Sequence, residues 1–139
     1  MKKKLINIAK QIVGKYPLSG FDGNSAGEVA AALITVQENI YTGICIDVAC
    51  SLGFCAEHAA IAEMLKSHET EVKYIVAVRE DGKILPPCGR CREMLMQINS
   101  NNRFTNVIID EDTSIQLSEL LPYQWNNWIN PKKILNALS

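Results

Sequence analysis

Apolar residues along the chain fall into segments of two different periods. Leu5, Ile8, Ala9, Ile12 and Tyr16 recur at the spacing of one helix face, which predicts an amphipathic first helix. Val29-Ala30-Ala31-Ala32-Leu33-Ile34-Thr35-Val36 reads as a strand on its β-branched content, although its alanines would also suit a helix. Gln37-Glu38-Asn39 then makes a turn, and Ile40 to Asp47 is the returning strand of a hairpin. Ala56 to Lys66 is rich in helix formers, with an apolar side expected at Ala59, Ala62 and Met64 to Lys66. Val72 to Val78 is a short apolar run of the kind that forms a buried strand. Pro86-Pro87 stops any preceding helix, and Pro87 suits the entry to the next one, Gly89 to Ile98. Asn106 to Asp110 is a further strand and Ile115 to Leu117 a short one. Helices alternating with strands predict an α/β domain with helices on both faces of one sheet.

Composition narrows this picture. At 139 residues the chain fits one domain, 1–139, with its core at about 1–122 and a tail from 123. No apolar run approaches a membrane span. Lys10 interrupts the apolar start and no small-residue cleavage site follows, which argues against a secretory signal. With 14 basic and 15 acidic residues the net charge is −1, and the only compact basic cluster is Lys2-Lys3-Lys4. A grip on a nucleic acid polymer needs a basic stripe, so a polynucleotide partner is disfavoured. Five cysteines, an odd number, favour a reducing, cytoplasmic setting and metal binding over disulfides.

The candidate chemistry lies in a split constellation, Cys55-Ala56-Glu57 and Pro87-Cys88-Gly89-Arg90-Cys91-Arg92. Cys88 and Cys91 share a face of one helix's first turn. Cys55 opens the other helix. If the two helices run the same way, the three thiols converge at two helix N-termini, whose partial positive charge favours thiolates. Three protein ligands leave the fourth position of a tetrahedral zinc open, which separates catalytic from structural sites. Glu57 is then free to move protons, the arrangement described for zinc deaminases of nucleobases. Zn²⁺ with three thiolates sums to −1, so donors to the sulfurs are needed. Arg92 or His58 is expected to supply them, with Arg90 also local. A fourth ligand from His58 or His68 would instead close the site into a structural one. Cys45 and Cys50 read as bystanders to the metal, Trp125 and Trp128 as core or interface packing, and His68 as a surface residue.

Together, Cys-Ala-Glu and Pro-Cys-Gly-x-Cys-Arg resemble the signature of the small zinc-dependent cytidine deaminases and the related blasticidin S deaminases. The resemblance runs from about Val29 to Pro122 and includes Val29-Ala30-Ala31-Ala32-Leu33, Tyr41-Thr42-Gly43 and Glu119-Leu120-Leu121-Pro122. It implies a three-layer α/β/α fold with one mixed sheet of about five strands, and a homotetramer whose sites neighbouring subunits complete. It implies zinc held by Cys55, Cys88 and Cys91, and Glu57 as the proton shuttle. The implied activity is hydrolytic deamination of a cytosine-type small molecule: cytidine, deoxycytidine or a blasticidin-like nucleoside. A non-catalytic zinc- or ligand-binding protein on the same scaffold is the second reading, which the intact Glu57 opposes. Two departures fall on nucleoside-contacting positions. Gly27 stands where the cytidine deaminases have a pocket-lining Phe. Cys45-Ile46-Asp47 replaces their Asn-x-Glu, so Cys45, Asp47 and the adjoining Ala56 are the candidate substrate contacts. Cys45 is a poor replacement for an amide, and Asp47 is one methylene shorter than Glu.

Overall fold

The structure is a computed structural model that describes residues 1–125. Its frame is a mixed sheet. The long strand β2 (Ser25–Thr35) pairs antiparallel with β3 (Ile40–Asp47) on one side and with β4 (Val72–Arg79) on the other. Beyond β4 lie β6 (Asn106–Ile108), parallel to it, and β7 (Ser114–Gln116), antiparallel to β6. Two-residue strands complete the edges: β1 (Tyr16–Pro17) on β2 and β5 (Ile84–Leu85) on β4.

Because β3 and β4 are both antiparallel to β2, they run in the same direction. Each is followed by a helix, α2 (Ala56–Lys66) after β3 and α3 (Gly89–Ile98) after β4. Both helices therefore start from the same end of the sheet, the carboxyl ends of the strands, where open α/β sheets place their ligands. Helix α1 (Lys2–Ile12) covers the other face.

Successive β2 side chains serve both layers, as the two-residue period of a strand requires. Ala32 and Ile34 pack with Leu5, Ile6 and Ala9 of α1, and with Val76, Val78 and Ile108. Ala31 and Leu33 pack with Ile61 and Met64 of α2, Leu95 of α3, and Ile75 and Ala77. Burying each large aliphatic side chain of this kind contributes about 1.5–3 kcal/mol.

Several boundaries differ from expectation. The buried stripe of α1 is Leu5, Ile6 and Ala9; Ile12 is exposed and Tyr16 lies in β1, because the helix ends at Ile12. Strand β2 starts at Ser25, four residues before the apolar run, and its register with β3 shifts between Ala26 and Ala30. Gly27 occupies that irregularity at φ +87°, a backbone conformation that excludes most side chains. In α2 the buried face is Ala56, Glu57, Ala60, Ile61 and Met64, whereas Ala62 and Leu65 are exposed. The reason is a close approach to β3: a Cβ on Gly43 would lie 2.4 Å from Ala60 N and 2.5 Å from Ala59 Cβ. Strand β6 stops at Ile108, and Leu117 begins a short helix α4 (Leu117–Leu120) instead of ending β7. A 3₁₀ helix, Ser100–Phe104, links α3 to β6. Trp125 is 61% exposed and so lies outside the core, while Trp128 and the rest of the tail fall outside the described residues.

Candidate active site

Cys55 is the N-cap residue of α2 and Cys88 the N-cap residue of α3, both in extended backbone conformation. The Cys55 side chain makes no capping hydrogen bond to α2, whereas the Cys88 sulfur faces the backbone N–H groups at the start of α3. Cys91, one turn into α3, is fully buried. Cys55 Sγ and Cys91 Sγ each lie 3.4 Å from Cys88 Sγ, and all three sulfurs fall within 4.8 Å of one another. A tetrahedral zinc with Zn–S bonds of about 2.3 Å would set its sulfurs about 3.8 Å apart. Two of the three pairs thus need to move only a few tenths of an ångström to fit a zinc ion, and the third lies within 4.8 Å. Neither His58 nor His68 joins it.

The electrostatics differ among the three thiols. Burial opposes ionisation of Cys88, but the backbone N–H groups of Cys91 and Arg90 and the neighbouring thiols outweigh it and hold its pKa below the ordinary thiol value. Burial, then the Cys88 thiol, raise Cys55. Cys91 is raised furthest, by burial and by the Glu57 charge. Metal binding must displace those protons, as thiolate sites do.

Glu57 is 5% exposed, and its Oε2 accepts from Cys91 Sγ at 2.8 Å. That bond is its only protein hydrogen bond among the described residues. The carboxylate opens on a cavity of about 470 Å³ whose lining includes Cys55, Cys88, Cys45, Asp47 and Ala56. This size is typical of small-molecule sites.

Several liners were not marked as pocket residues by the sequence, Glu28, Val29, Phe54 and Leu85 among them. Glu28 and Val29 come from the irregular start of β2, Phe54 from the residue before Cys55, and Leu85 from β5. Phe54 bridges back to β3 through reciprocal backbone bonds with Ile46. Only its adjacency to Cys55 could have flagged it; the others depend on strand register.

Gly27 is not among the liners. A Cβ there would stand 2.2 Å from Gly14 O, and Gly14 N donates to Gly27 O at 2.8 Å. A side chain at position 27 would collide with the α1–β1 connection before it reached the cavity.

The expected donation from Arg92 or His58 to the sulfurs is not what the structure shows. Arg92 Nε donates to Pro87 O at 2.8 Å and Nη1 to Leu120 O at 3.0 Å. Its guanidinium ties the entry of α3 to α4. His58 Nε2 is buried without a hydrogen-bond partner, and burial followed by the Arg90 charge lowers its pKa. The donors that favour ionisation at the cluster are the backbone N–H groups of α3.

Thiols gathered at paired helix starts and open to a cavity define a metal-dependent enzyme of the α/β/α class; a structural zinc would close its shell with a fourth ligand. The family model for the cytidine and deoxycytidylate deaminase zinc-binding region matches residues 7–108, and the chain belongs to that family of hydrolytic zinc deaminases. It is 28% identical over 119 residues to a cytidine deaminase of Mycobacterium tuberculosis, covering 84% of this chain and 82% of that one. It is 28% identical over 98 residues to one of Halalkalibacterium halodurans, covering 68% of this chain and 74% of that protein. The fold matches the crystal structure of the cytidine deaminase from Bacillus anthracis with a TM-score of 0.69, at 24% identity and 99% coverage of both chains. The Mycobacterium tuberculosis cytidine deaminase structure gives a TM-score of 0.72 at 23% identity, covering 88% of this chain and 95% of that one.

Proposed function

We propose that the protein deaminates a cytosine-type small molecule hydrolytically, with cytidine, deoxycytidine or a blasticidin-like nucleoside as substrate. The supporting observation is Glu57, a buried carboxylate with a single thiol partner, standing beside a metal-competent thiol cluster at the wall of a cavity. Cys55, Cys88 and Cys91 would hold zinc, which would supply Lewis-acid activation of water when bound. Glu57 takes a proton from the attacking water as the water oxygen bonds to the carbon bearing the amino group. It delivers that proton to the adjacent ring nitrogen, then takes the remaining proton from the new hydroxyl and passes it to the amino group, so that the C–N bond breaks, the carbonyl forms and ammonia leaves. The cavity walls at Cys45, Asp47 and Ala56 orient the substrate and limit water around the reacting carbon.

Five cysteines without a disulfide support a cytoplasmic location, and among the described residues no helix is long and apolar enough to cross a membrane. Exposed apolar side chains at Phe21 and Leu52, beside the pocket loop, support assembly into a homotetramer. The test is ammonia release from zinc-loaded protein across cytosine, cytidine, deoxycytidine, their monophosphates and blasticidin S, with Glu57→Gln in parallel. Turnover of one nucleoside that is lost in the variant carries the reading. Silence on every compound at full zinc occupancy, or undiminished turnover by the variant, overturns it.

A further inference from the structure

The charged groups on the pocket wall are unbalanced. Among the described residues Glu28, Asp47 and Glu57 line it, against Arg90. Glu57 belongs to the reacting end. Glu28 and Asp47 belong to the wall made by β2 and β3, where the register shift between Ala26 and Ala30 brings Glu28 to the cavity. Among the described residues Glu28 pairs with Lys15 at 4.0 Å, with both side chains more than a third exposed, and it also lies within the field of Arg79. A solvated pair at that distance neutralises little. Asp47 is held from one side: Cys45 Sγ accepts from Val29 N at 3.3 Å and donates to Asp47 Oδ2 at 3.6 Å. Burial raises the Cys45 pKa further than the Val29 N–H lowers it, so the thiol keeps its proton and serves as a donor. Among the described residues Asp47 Oδ1 has no hydrogen-bond partner, which leaves it to a ligand.

We propose that Glu28 and Asp47 are specificity-determining carboxylates that select cytosine-type substrates with a positively charged sugar substituent over neutral nucleosides, and reject phosphorylated ones. The proposal rests on the deaminase reading above and adds the charge class of the substrate. Like charges placed against one another in a cleft disfavour a ligand, while opposite charges favour it and discriminate among ligands of one shape. A phosphate entering this wall meets two carboxylates; an ammonium meets two acceptors, one already oriented by Cys45. The family model spans both nucleoside and nucleotide deaminases, and this wall decides between them for this chain. Glu28 falls at the unspecified position between Gly27 and Val29, beside the irregularity at Gly27.

The experiment is calorimetric titration of zinc-loaded Glu57→Gln protein, which holds a ligand without consuming it. The probes are cytidine, its 3′-amino-3′-deoxy and 5′-amino-5′-deoxy analogues, and cytidine 5′-monophosphate. At least one amino analogue is expected to bind about tenfold more tightly than cytidine, and the monophosphate about tenfold more weakly. Adding Glu28→Gln or Asp47→Asn should each shrink that spread severalfold, as should raised salt. Equal affinity for cytidine and both amino analogues, or a spread unchanged in both added variants, overturns the inference. Ammonia release by the wild-type protein separates the two readings. Turnover without charge preference overturns this inference alone, while no turnover of any probe overturns both.

Discussion

Two buried carboxylates flank helix α2, and they differ in how completely they are satisfied. Glu69, just past the helix, is 7% exposed and accepts from the Thr35 hydroxyl at 2.6 Å, the Asn39 amide at 3.1 Å and the Tyr41 hydroxyl. Its acceptors are spent on the β2–β3 hairpin, which it ties to the turn before β4. Glu57, in the first turn, is equally buried but has one weak thiol donor and faces a cavity. Leaving a buried carboxylate short of donors is costly, and a fold that retains one beside three thiols has kept it for something that binds there. The two residues separate structure from chemistry at the two ends of one helix.

The largest effect should come from removing the cluster that gives Glu57 its purpose. Cys91→Ser is expected to lose most of its zinc and, with it, at least about 10³-fold of deaminase activity. Metal content by atomic emission and ammonia release check this together; an active, zinc-free variant would break the comparison at its root. Glu57→Gln should follow, with kcat reduced about 10²- to 10⁴-fold while zinc content and melting temperature hold. A fall in melting temperature without a fall in kcat would place Glu57 with Glu69.

Glu69→Gln should show the reverse profile. A melting temperature lowered by roughly 5 °C is expected, because an amide nitrogen would face donors, while zinc content and KM stay unchanged. The pH dependence carries the same contrast. The Thr35 hydroxyl first, then Tyr41 and Asn39, hold the Glu69 pKa below its ordinary value of 4.5. A folded-state pKa depressed in this way stabilises the protein above the unfolded value, and that stability is lost as pH falls through the folded pKa. Thermal melts on the acid side of pH 4.5 should therefore converge for wild type and Glu69→Gln, and diverge above it. A gap that stays constant across that range would mean that the cluster acts through shape and not charge.

What the sequence disclosed follows the same division. The bounds of β3, α2 and α3 were legible because period, helix formers and the Pro86-Pro87 stop agree along these stretches. The thiols and Glu57 were legible because spacing at a helix start fixes geometry within one turn. The start of β2 was hidden, since alternation breaks at Gly27, and that irregularity alone decides that Glu28 reaches the pocket. The buried face of α2 was misread because Gly43 lets the backbone of Ala59 and Ala60 press on β3, which no helical period encodes. Glu69 carried no signal either. Its three donors come from a hairpin about thirty residues away, and only the folded register assembles them.

Arg92 sharpens the comparison at the smallest scale, because charge balance proposed it or His58 as a donor to the sulfurs and the structure bonds it to the scaffold. Its two bonds, to Pro87 O and Leu120 O, brace the loop that carries Cys88 against α4. Charge-assisted bonds of this kind contribute about 1.5–3 kcal/mol in favourable settings. Partial exposure of Arg92 puts Arg92→Gln near the lower end, at about 1.5 kcal/mol. A guanidinium that drew charge from the thiolates would, on removal, change the thiolate-to-metal absorption of the cobalt-substituted protein and weaken metal affinity. One that braces carbonyls would lower stability and leave that spectrum in place. The expected result is the second, with stability read by urea denaturation and the spectrum at full cobalt occupancy. A shifted cobalt spectrum at unchanged stability would return Arg92 to the metal site and join the structural and chemical halves of this helix pair.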